Sequence, residues 1–292
     1  MPPPPPRVCF GRRRLIDEVV GAVVGFEPLA LISPGGFGKT SIALEALHNV
    51  YTKRQFRDNR RFIRCDAFPA SRAHFLAHLS EAIGAGIQNP EDMAPLRPFL
   101  SSTEILIVLD NAESILDPQG INHEEVFAAV DELCRFSTVS VCITSRIFAV
   151  PRCCRRLLIP ALPKEAACDT FCDIHGVGGR SGIINDFLRL LNYHALSITL
   201  LASVAFNNTW DRCRLIHEWD ARGCTTEVLR TGHNKGLVAM IELSLTSLCP
   251  NRRDLLRVLA FFPQGVQEKD LYWLFPTIPN SKASSIGSAL FL

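Results

Sequence analysis

Short apolar runs alternate with longer amphipathic stretches along the first half of the chain. Each run has the length of a buried strand, and the segments between the runs are long enough for crossover helices. This rhythm predicts an α/β fold in three layers around a five-stranded parallel sheet. The predicted strands are Leu29 to Ile32, Arg61 to Cys65, Ile105 to Leu109, Val139 to Thr144 and Arg155 to Ile159, with helices from Lys39 to about Tyr51, around His74 to Gly84 and at His123 to Phe136.

The strand pattern stops after Pro163, where helical periodicity replaces it. We therefore divide the chain into a proline-rich linker at residues 1–7, the α/β domain at 8–162, a helical domain at 163–232 and a third unit at 233–292. The helices predicted after Pro163 are Lys164 to His175, Gly182 to Leu191, Leu196 to Phe206, Arg212 to Ala221, Leu237 to Ser247 and Arg253 to Phe262.

A glycine-rich loop follows the first predicted strand and leads into a helix. Its sequence, Ser33-Pro34-Gly35-Gly36-Phe37-Gly38-Lys39-Thr40, fits a P-loop, in which glycines let backbone N–H groups wrap phosphates at a helix N-terminus. Lys39 would reach the β- and γ-phosphates, and Thr40 would coordinate Mg²⁺. Ser33 stands where the full pattern has glycine. The predicted nucleotide-binding residues of this segment are Pro34, Gly35, Gly36, Phe37, Gly38, Lys39, Thr40 and Ser41.

Polar residues end two of the later predicted strands. Asp110 supplies a carboxylate for the Mg²⁺ shell, so Thr40 and Asp110 are the predicted metal residues. Many ATPases carry a second acid directly after that aspartate, but this chain has Asn111. Glu113 is either the replacement for that acid or a solvated acid without a role in the site. Arg146 ends a later strand and is a candidate γ-phosphate contact, or else a surface charge. Asp110, Glu113 and Arg146 are therefore the candidate catalytic residues, and the sequence favours nucleotide binding more strongly than hydrolysis.

Composition narrows the classes of partner. The 292 residues are 47% hydrophobic and 21% charged with a formal net charge of +2, which excludes a disordered chain and provides no broad basic field for nucleic acid. The apolar runs are shorter than the roughly 20 residues of a membrane span. Residues 2–6 are all proline and lack the apolar core of a secretory leader. We expect a cytoplasmic protein that binds neither nucleic acid nor membrane.

The eleven cysteines are scattered along the chain without a CxxC pair or an even framework of spacings. Reduced, mostly buried thiols are the simplest interpretation. Cys168, Cys172 and His175 have helical spacing, and a packed helix face explains them better than a metal does. The sequence therefore predicts no zinc site.

In their order along the chain, these residues resemble the NB-ARC and NACHT group of signal-transducing STAND ATPases, which includes plant and animal NLR immune receptors. The matching segments are Phe10-Gly11-Arg12 before the P-loop, Arg61 to Asp66 at the second strand, Ile105 to Glu113 at the Walker B strand, Ile143 to Arg146 at the sensor motif and His194 to Ser197 at the Gly-x-Pro or His-Pro-Leu motif. Ala195 replaces the proline of that last motif.

The third unit, from Leu255 to Gly265, is similar to the start of the family's winged-helix domain. We therefore expect residues 233–292 to form a truncated winged-helix-like domain, without the Met-His-Asp element that normally ends it. The segments Leu109 to Ser114 and Ala260 to Gly265 are similar to NLR-like families of basidiomycete fungi. The chain resembles an isolated switch module or a truncated gene product.

The resemblance implies a switch rather than a turnover enzyme. ADP with Mg²⁺ would hold the domains closed, and exchange for ATP would favour an open form that assembles into a homo-oligomer and engages protein signalling partners. It also implies that Phe10, Gly11, Arg12 and Leu196 contact the nucleotide, and that the sensor strand lies between the P-loop and Walker B strands. Any ATPase activity would be weak.

Two other functions remain open from the residues. A P-loop kinase or phosphotransferase would need a lid with arginines, for which Arg152, Arg155 and Arg156 are candidates. A degenerate pseudo-ATPase scaffold would explain Ser33, Asn111, Ala195 and the missing Met-His-Asp element together as losses. The nucleotide content of the purified protein distinguishes these functions.

Overall fold

The computed structural model describes residues 2–88, 90–120, 122–176 and 182–221. The described residues all belong to one compact unit. The predicted helices at Leu237 to Ser247 and Arg253 to Phe262 lie outside the described residues, as does the winged-helix-like unit. The domain boundaries drawn from the sequence stay predictions.

Five parallel strands form one sheet, as the sequence predicts. Their order is β2-β3-β4-β1-β5, so β4 lies between β1 and β3. Every strand end lies within one residue of its predicted position, because apolar runs bounded by turns are a local signal. The strands are β1 (Leu29–Ile32), β2 (Arg60–Arg64), β3 (Ile105–Asp110), β4 (Val139–Ser145) and β5 (Arg155–Leu158).

Helices lie before β1, in the connections from β1 to β2, β2 to β3 and β3 to β4, and after β5. A short 3-10 turn, Cys65–Ala67, follows β2. The helices are α1 (Arg13–Val24), α2 (Lys39–His48), α3 (Val50–Phe56), α4 (Arg72–Ile83), α5 (Arg97–Ser102), α6 (Glu113–Leu116), α7 (His123–Leu133), α8 (Lys164–His175), α9 (Gly182–Leu190), α10 (Ala195–Asn207) and α11 (Arg212–Ala221).

The predicted helix from Lys39 to about Tyr51 is wrong in one respect. Asn49 is extended, with ψ of 147°, and ends α2. Its side-chain oxygen accepts a hydrogen bond from Tyr51 N, so Asn49 is the N-cap of a separate helix, α3. Asparagine competes for backbone hydrogen bonds in this way, which splits the segment. Helix α7 likewise ends three residues before the predicted Phe136.

Both faces of the sheet are covered, because successive side chains of a strand point to opposite faces. Ala30 and Ile32 of β1 pack in one buried cluster with residues of α4 and α7, whereas Leu29 and Leu31 pack in another with residues of α1 and α2. This is the predicted three-layer arrangement. A third apolar cluster joins α8, α9 and α10. Among the described residues, no helix combines the length and the apolar character that crossing a bilayer requires.

Candidate nucleotide-binding site

The loop between β1 and α2 has the backbone of an anion-binding turn. Gly36 and Gly38 have φ of 78° and 89°, values that glycine adopts without the penalty other residues incur. Gly38 is the N-cap of α2, so the helix begins directly at Lys39 and its first N–H groups face the loop. Ser41 is half-buried in the first turn of this helix. The loop therefore has the backbone geometry that phosphate binding requires, and its role in phosphate binding stays a prediction.

Lys39 is folded onto its own loop. Only 6% of the residue is exposed, and Nζ donates hydrogen bonds to the carbonyl oxygens of Ser33 at 2.7 Å and Pro34 at 3.0 Å. Burial lowers the pKa of this ammonium below its ordinary value, an effect that the charge of Glu113 partly opposes. The unusual Ser33 does not open the loop, since its hydroxyl donates to the Pro34 carbonyl oxygen at 3.3 Å.

The two predicted metal residues lie together. Thr40 Oγ1 donates a hydrogen bond to Asp110 Oδ1 at 2.8 Å. Thr144 Oγ1 donates to the same carboxylate oxygen at 2.7 Å, and Asp110 is only 4% exposed. A hydroxyl and a carboxylate at the start of α2 and the end of β3 are hard oxygen ligands of the kind Mg²⁺ prefers. These residues could hold a metal ion beside the P-loop.

Asn111 occupies the position of the second acid and is held by two hydrogen bonds. Its φ is 55°, a left-handed conformation that asparagine tolerates better than most residues. Its backbone N–H donates to Thr144 Oγ1 at 3.0 Å, and its Nδ2 donates to Asp66 Oδ2 at 3.3 Å. Asp66 also pairs with Arg64 at 2.9 Å. Asn111 thus links three strand ends and has no group that can accept a proton from water.

Glu113 and Arg146 form an ion pair at the edge of the loop. Arg146 Nε lies 2.9 Å from Glu113 Oε1, and the Arg146 backbone N–H donates to Oε2 at 3.1 Å. A Cβ placed on Gly35 would lie 3.6 Å from Arg146 Cζ, so the guanidinium borders the P-loop. The structure therefore places Glu113 and Arg146, two of the three candidate catalytic residues, beside the P-loop and paired with each other.

The Phe10-Gly11-Arg12 segment joins the loop to its surroundings. Arg12 is 3% exposed, and Nη2 donates to the carbonyl oxygens of Phe37 at 3.1 Å and Pro160 at 2.8 Å. Gly11 has φ of 69°, and a Cβ there would lie 2.3 Å from the Cβ of Ala166 in α8. Phe10 is 39% exposed. The Arg12 guanidinium thus holds the P-loop by the carbonyl oxygen of Phe37. The sequence did not indicate this contact.

Helix α10 contacts the P-loop directly. Leu196 N donates to the Gly36 carbonyl oxygen at 3.0 Å. His194 caps α10, because its Nδ1 accepts a hydrogen bond from Ser197 N at 3.3 Å and lies 2.8 Å from Ser197 Oγ. The neutral ring therefore carries its hydrogen on Nε2, which donates to the Gly35 carbonyl oxygen at 2.9 Å. Sequence reasoning selected Leu196 but not His194.

The packing of His194 explains why the loop needs glycine at position 36. A Cβ on Gly36 would lie 2.5 Å from His194 Cε1 and 2.9 Å from Leu196 Cβ. The ring of Phe37 also stands edge-on to the imidazole, with centroids 4.9 Å apart. The loop and the first turn of α10 are thus in van der Waals contact.

Solved structures share this fold at low sequence identity. A Walker-type ATPase of Pyrococcus abyssi matches with a TM-score of 0.55 and 13% identity, over 99% of this chain and 91% of that one. A STAND protein with a tetratricopeptide repeat sensor from Pyrococcus horikoshii matches with a TM-score of 0.61 and 16% identity, over 97% of this chain but 39% of that one. The Aeropyrum pernix ORC1 protein, solved in complex with DNA, matches with a TM-score of 0.52 and 12% identity, over 98% of this chain and 84% of that one.

Neither protein-family models nor curated proteins match the chain. The structural matches are too distant in sequence to transfer an activity, so they bear on the fold alone. The sheet order, the P-loop and these neighbours together show that the chain has the α/β fold of P-loop ATPases.

Proposed function

We propose that the chain is a nucleotide-dependent switch module of an NLR-like signalling protein, which binds ADP or ATP with Mg²⁺ and hydrolyses slowly or not at all. One observation carries the proposal. A formed P-loop, with Thr40 and Asp110 in contact, is hydrogen-bonded through its backbone to the first turn of α10. The loop that would hold phosphate is therefore also the loop that contacts the helical segment.

A switch requires that nucleotide change the relative stability of two arrangements. The Gly35 and Gly36 carbonyl oxygens accept hydrogen bonds from α10, while the N–H groups of the same loop would bind phosphate. A phosphate that moves the loop must therefore lengthen or shorten the contacts to His194 and Leu196. This coupling supports sensing of the nucleotide by the helical segment.

Slow hydrolysis agrees with the chemistry of the site. Asn111 has no basic group, and Glu113 is engaged with Arg146. A general base must be within hydrogen-bond reach of the attacking water and free to accept its proton. A long-lived bound state is the consequence, and such a state suits a switch.

The first test is the nucleotide content of the purified full chain. We expect ADP to co-purify with the wild type and to be absent from Lys39→Ala, because the variant loses the ammonium that neutralises the phosphates. Lys53→Ala, which removes an exposed lysine in α3, is the matched control and should retain ADP. An empty wild-type protein that also fails to bind added nucleotide would refute the switch and favour the pseudo-ATPase scaffold. Phosphate transfer to a small acceptor would instead identify a kinase.

The second test concerns assembly. We expect a monomer with ADP and a larger species with a non-hydrolysable ATP analogue, measured by light scattering. An unchanged mass would contradict switching by oligomerisation but not nucleotide binding. The absence of nucleic-acid binding stays a prediction, since structural neighbours of this fold include proteins solved with DNA.

A further inference from the structure

Three cysteines lie together at the end of the sheet where the strands begin, away from the P-loop. Cys134 is the C-cap of α7, and Cys153 and Cys154 lie in the turn that precedes β5. The three Sγ atoms lie within 4.8 Å of one another. Cys134 and Cys154 are each 5% exposed, whereas Cys153 is exposed and closes the cluster on the solvent side.

We propose that Cys134, Cys153 and Cys154 form a binding site for a thiophilic divalent metal ion, zinc, with Asp131 as the fourth ligand. This site is separate from the nucleotide site, because β5 begins beside Leu29, at the opposite end of β1 from the P-loop.

The sulfur geometry fits tetrahedral zinc. Thiolates at the usual Zn–S distance of about 2.3 Å stand about 3.8 Å apart at the corners of a tetrahedron. Cys134 Sγ and Cys154 Sγ are 3.8 Å apart, too far for a disulfide and right for two ligands of one ion. The exposed Cys153 side chain must approach by less than about 1 Å to complete three corners, a shift within the reach of one rotatable bond.

Asp131 lies beside Cys153, and its carboxylate must shift toward the other two sulfurs to occupy the fourth corner. Its Oδ1 lies 3.8 Å from Cys153 Sγ, the same spacing as the sulfur pair. Arg135, one helical turn later, donates to the other oxygen, Oδ2, from Nε at 3.0 Å and Nη2 at 2.6 Å. A partner on the far oxygen fixes the rotamer of a ligating carboxylate, which is how metal sites orient their ligands. The arginine also offsets part of the negative charge of three thiolates and a carboxylate.

A filled site would join two segments of the chain. Cys134 ends the helix that precedes β4, and the other two cysteines end the connection that begins at Arg146. Metal binding closes this loop in the folded chain only, so it should raise thermal stability. Cys134 and Cys154 lie 20 residues apart, and Cys153 and Cys154 are adjacent rather than separated by two to four residues, so the sequence shows no usual zinc-ligand spacing.

Cobalt(II) is the probe, because sulfur ligands give it a charge-transfer absorption that oxygen ligands do not. The full chain is reduced, freed of metal with a chelator and titrated. We expect about one equivalent of thiolate-bound cobalt, displaced by zinc, and a rise in melting temperature with zinc. Cys153→Ser should weaken zinc binding ~10-fold or more and lose much of the absorption. Cys213→Ser, which changes an exposed cysteine in α11, is the matched control and should behave as the wild type.

Several results would overturn the proposal. These are no thiolate absorption in the wild type, equal zinc binding by Cys153→Ser and wild type, or a Cys134–Cys154 disulfide in the native protein by peptide mass mapping. Cys153→Ala serves as a second variant, since the side chain is exposed and neither change touches the core. Lys39→Ala should retain zinc, so a failure of the nucleotide proposal leaves this one intact.

Discussion

The Nε2–H of His194 donates a hydrogen bond to the carbonyl oxygen of Gly35, across 159 residues of sequence. The same imidazole accepts the Ser197 N–H and so begins α10. One side chain therefore both caps a helix and holds the P-loop, and so links the sheet to the helical segment.

Two variants of His194 separate these roles. Asparagine is a good N-cap but is too short to reach Gly35, whereas alanine provides neither contact. We expect both variants to release a fluorescent ADP analogue faster than the wild type, by about 5-fold for the loss of one hydrogen bond. The free energy of unfolding should be ~1 kcal/mol lower in His194→Ala than in His194→Asn. Equal release rates in all three proteins would show that the contact does not retain nucleotide.

Arg146 should distinguish triphosphate from diphosphate. It borders Gly35 and is paired with Glu113. We expect Arg146→Ala to weaken binding of a non-hydrolysable ATP analogue by about 10-fold and to leave ADP binding almost unchanged, measured by calorimetry. Arg152→Ala, an exposed arginine in the same connection, is the control and should bind both nucleotides as the wild type does. If the affinity for ADP fell by the same factor, Arg146 would not be the contact of the γ-phosphate.

Thr144 and Ser140 are two buried hydroxyl residues of β4 whose contributions to the free energy of unfolding can be compared. Thr144 Oγ1 donates to Asp110 and accepts from Asn111 N, whereas the buried Ser140 Oγ has no hydrogen-bond partner in the described structure. We expect Thr144→Val to lower the free energy of unfolding by ~1–3 kcal/mol, because it leaves buried polar groups unpaired. Ser140→Ala should be neutral or stabilising, since it removes a buried group that already lacks a partner. Chemical denaturation measures both, and similar losses would contradict the assignment.

Lys39 should make nucleotide binding depend on pH. Burial lowers the pKa of its ammonium below the ordinary value of 10.5, and bound phosphates favour the charged form. Between the lowered pKa and 10.5, binding must therefore take up a proton, and the dissociation constant should rise with pH. The nucleotide-free chain should gain stability across the same window, because the unfolded state there binds more protons than the folded state.

Calorimetry in two buffers of different ionisation enthalpy measures this proton uptake directly. Lys39→Arg is the control, since a guanidinium stays charged throughout the window and should abolish the uptake. Proton uptake of the same size in wild type and variant would assign the titration to another group.

The sequence by itself determined the features that depend on neighbours along the chain. Short apolar runs identified the strands β1, β3 and β4, which are buried along their whole length. The edge strands β2 and β5 carry arginines and gave a shorter apolar signal. The P-loop was recognisable because glycines, a lysine and a helix start lie within eight residues. Asp110 was recognisable because it ends an apolar strand. The break at Asn49 was missed although it is local, because the apolar periodicity continues across the asparagine that caps α3.

Only the tertiary structure decided which side chains meet. Asn111 reaches Asp66 across 45 residues, and His194 reaches Gly35 across 159. The thiols of Cys134 and Cys154 meet because α7 and the turn before β5 pack at one sheet edge. Periodicity reports which face of an element is buried, but it carries no information about which distant element covers that face. These contacts therefore follow from packing and could not be derived from spacing along the chain.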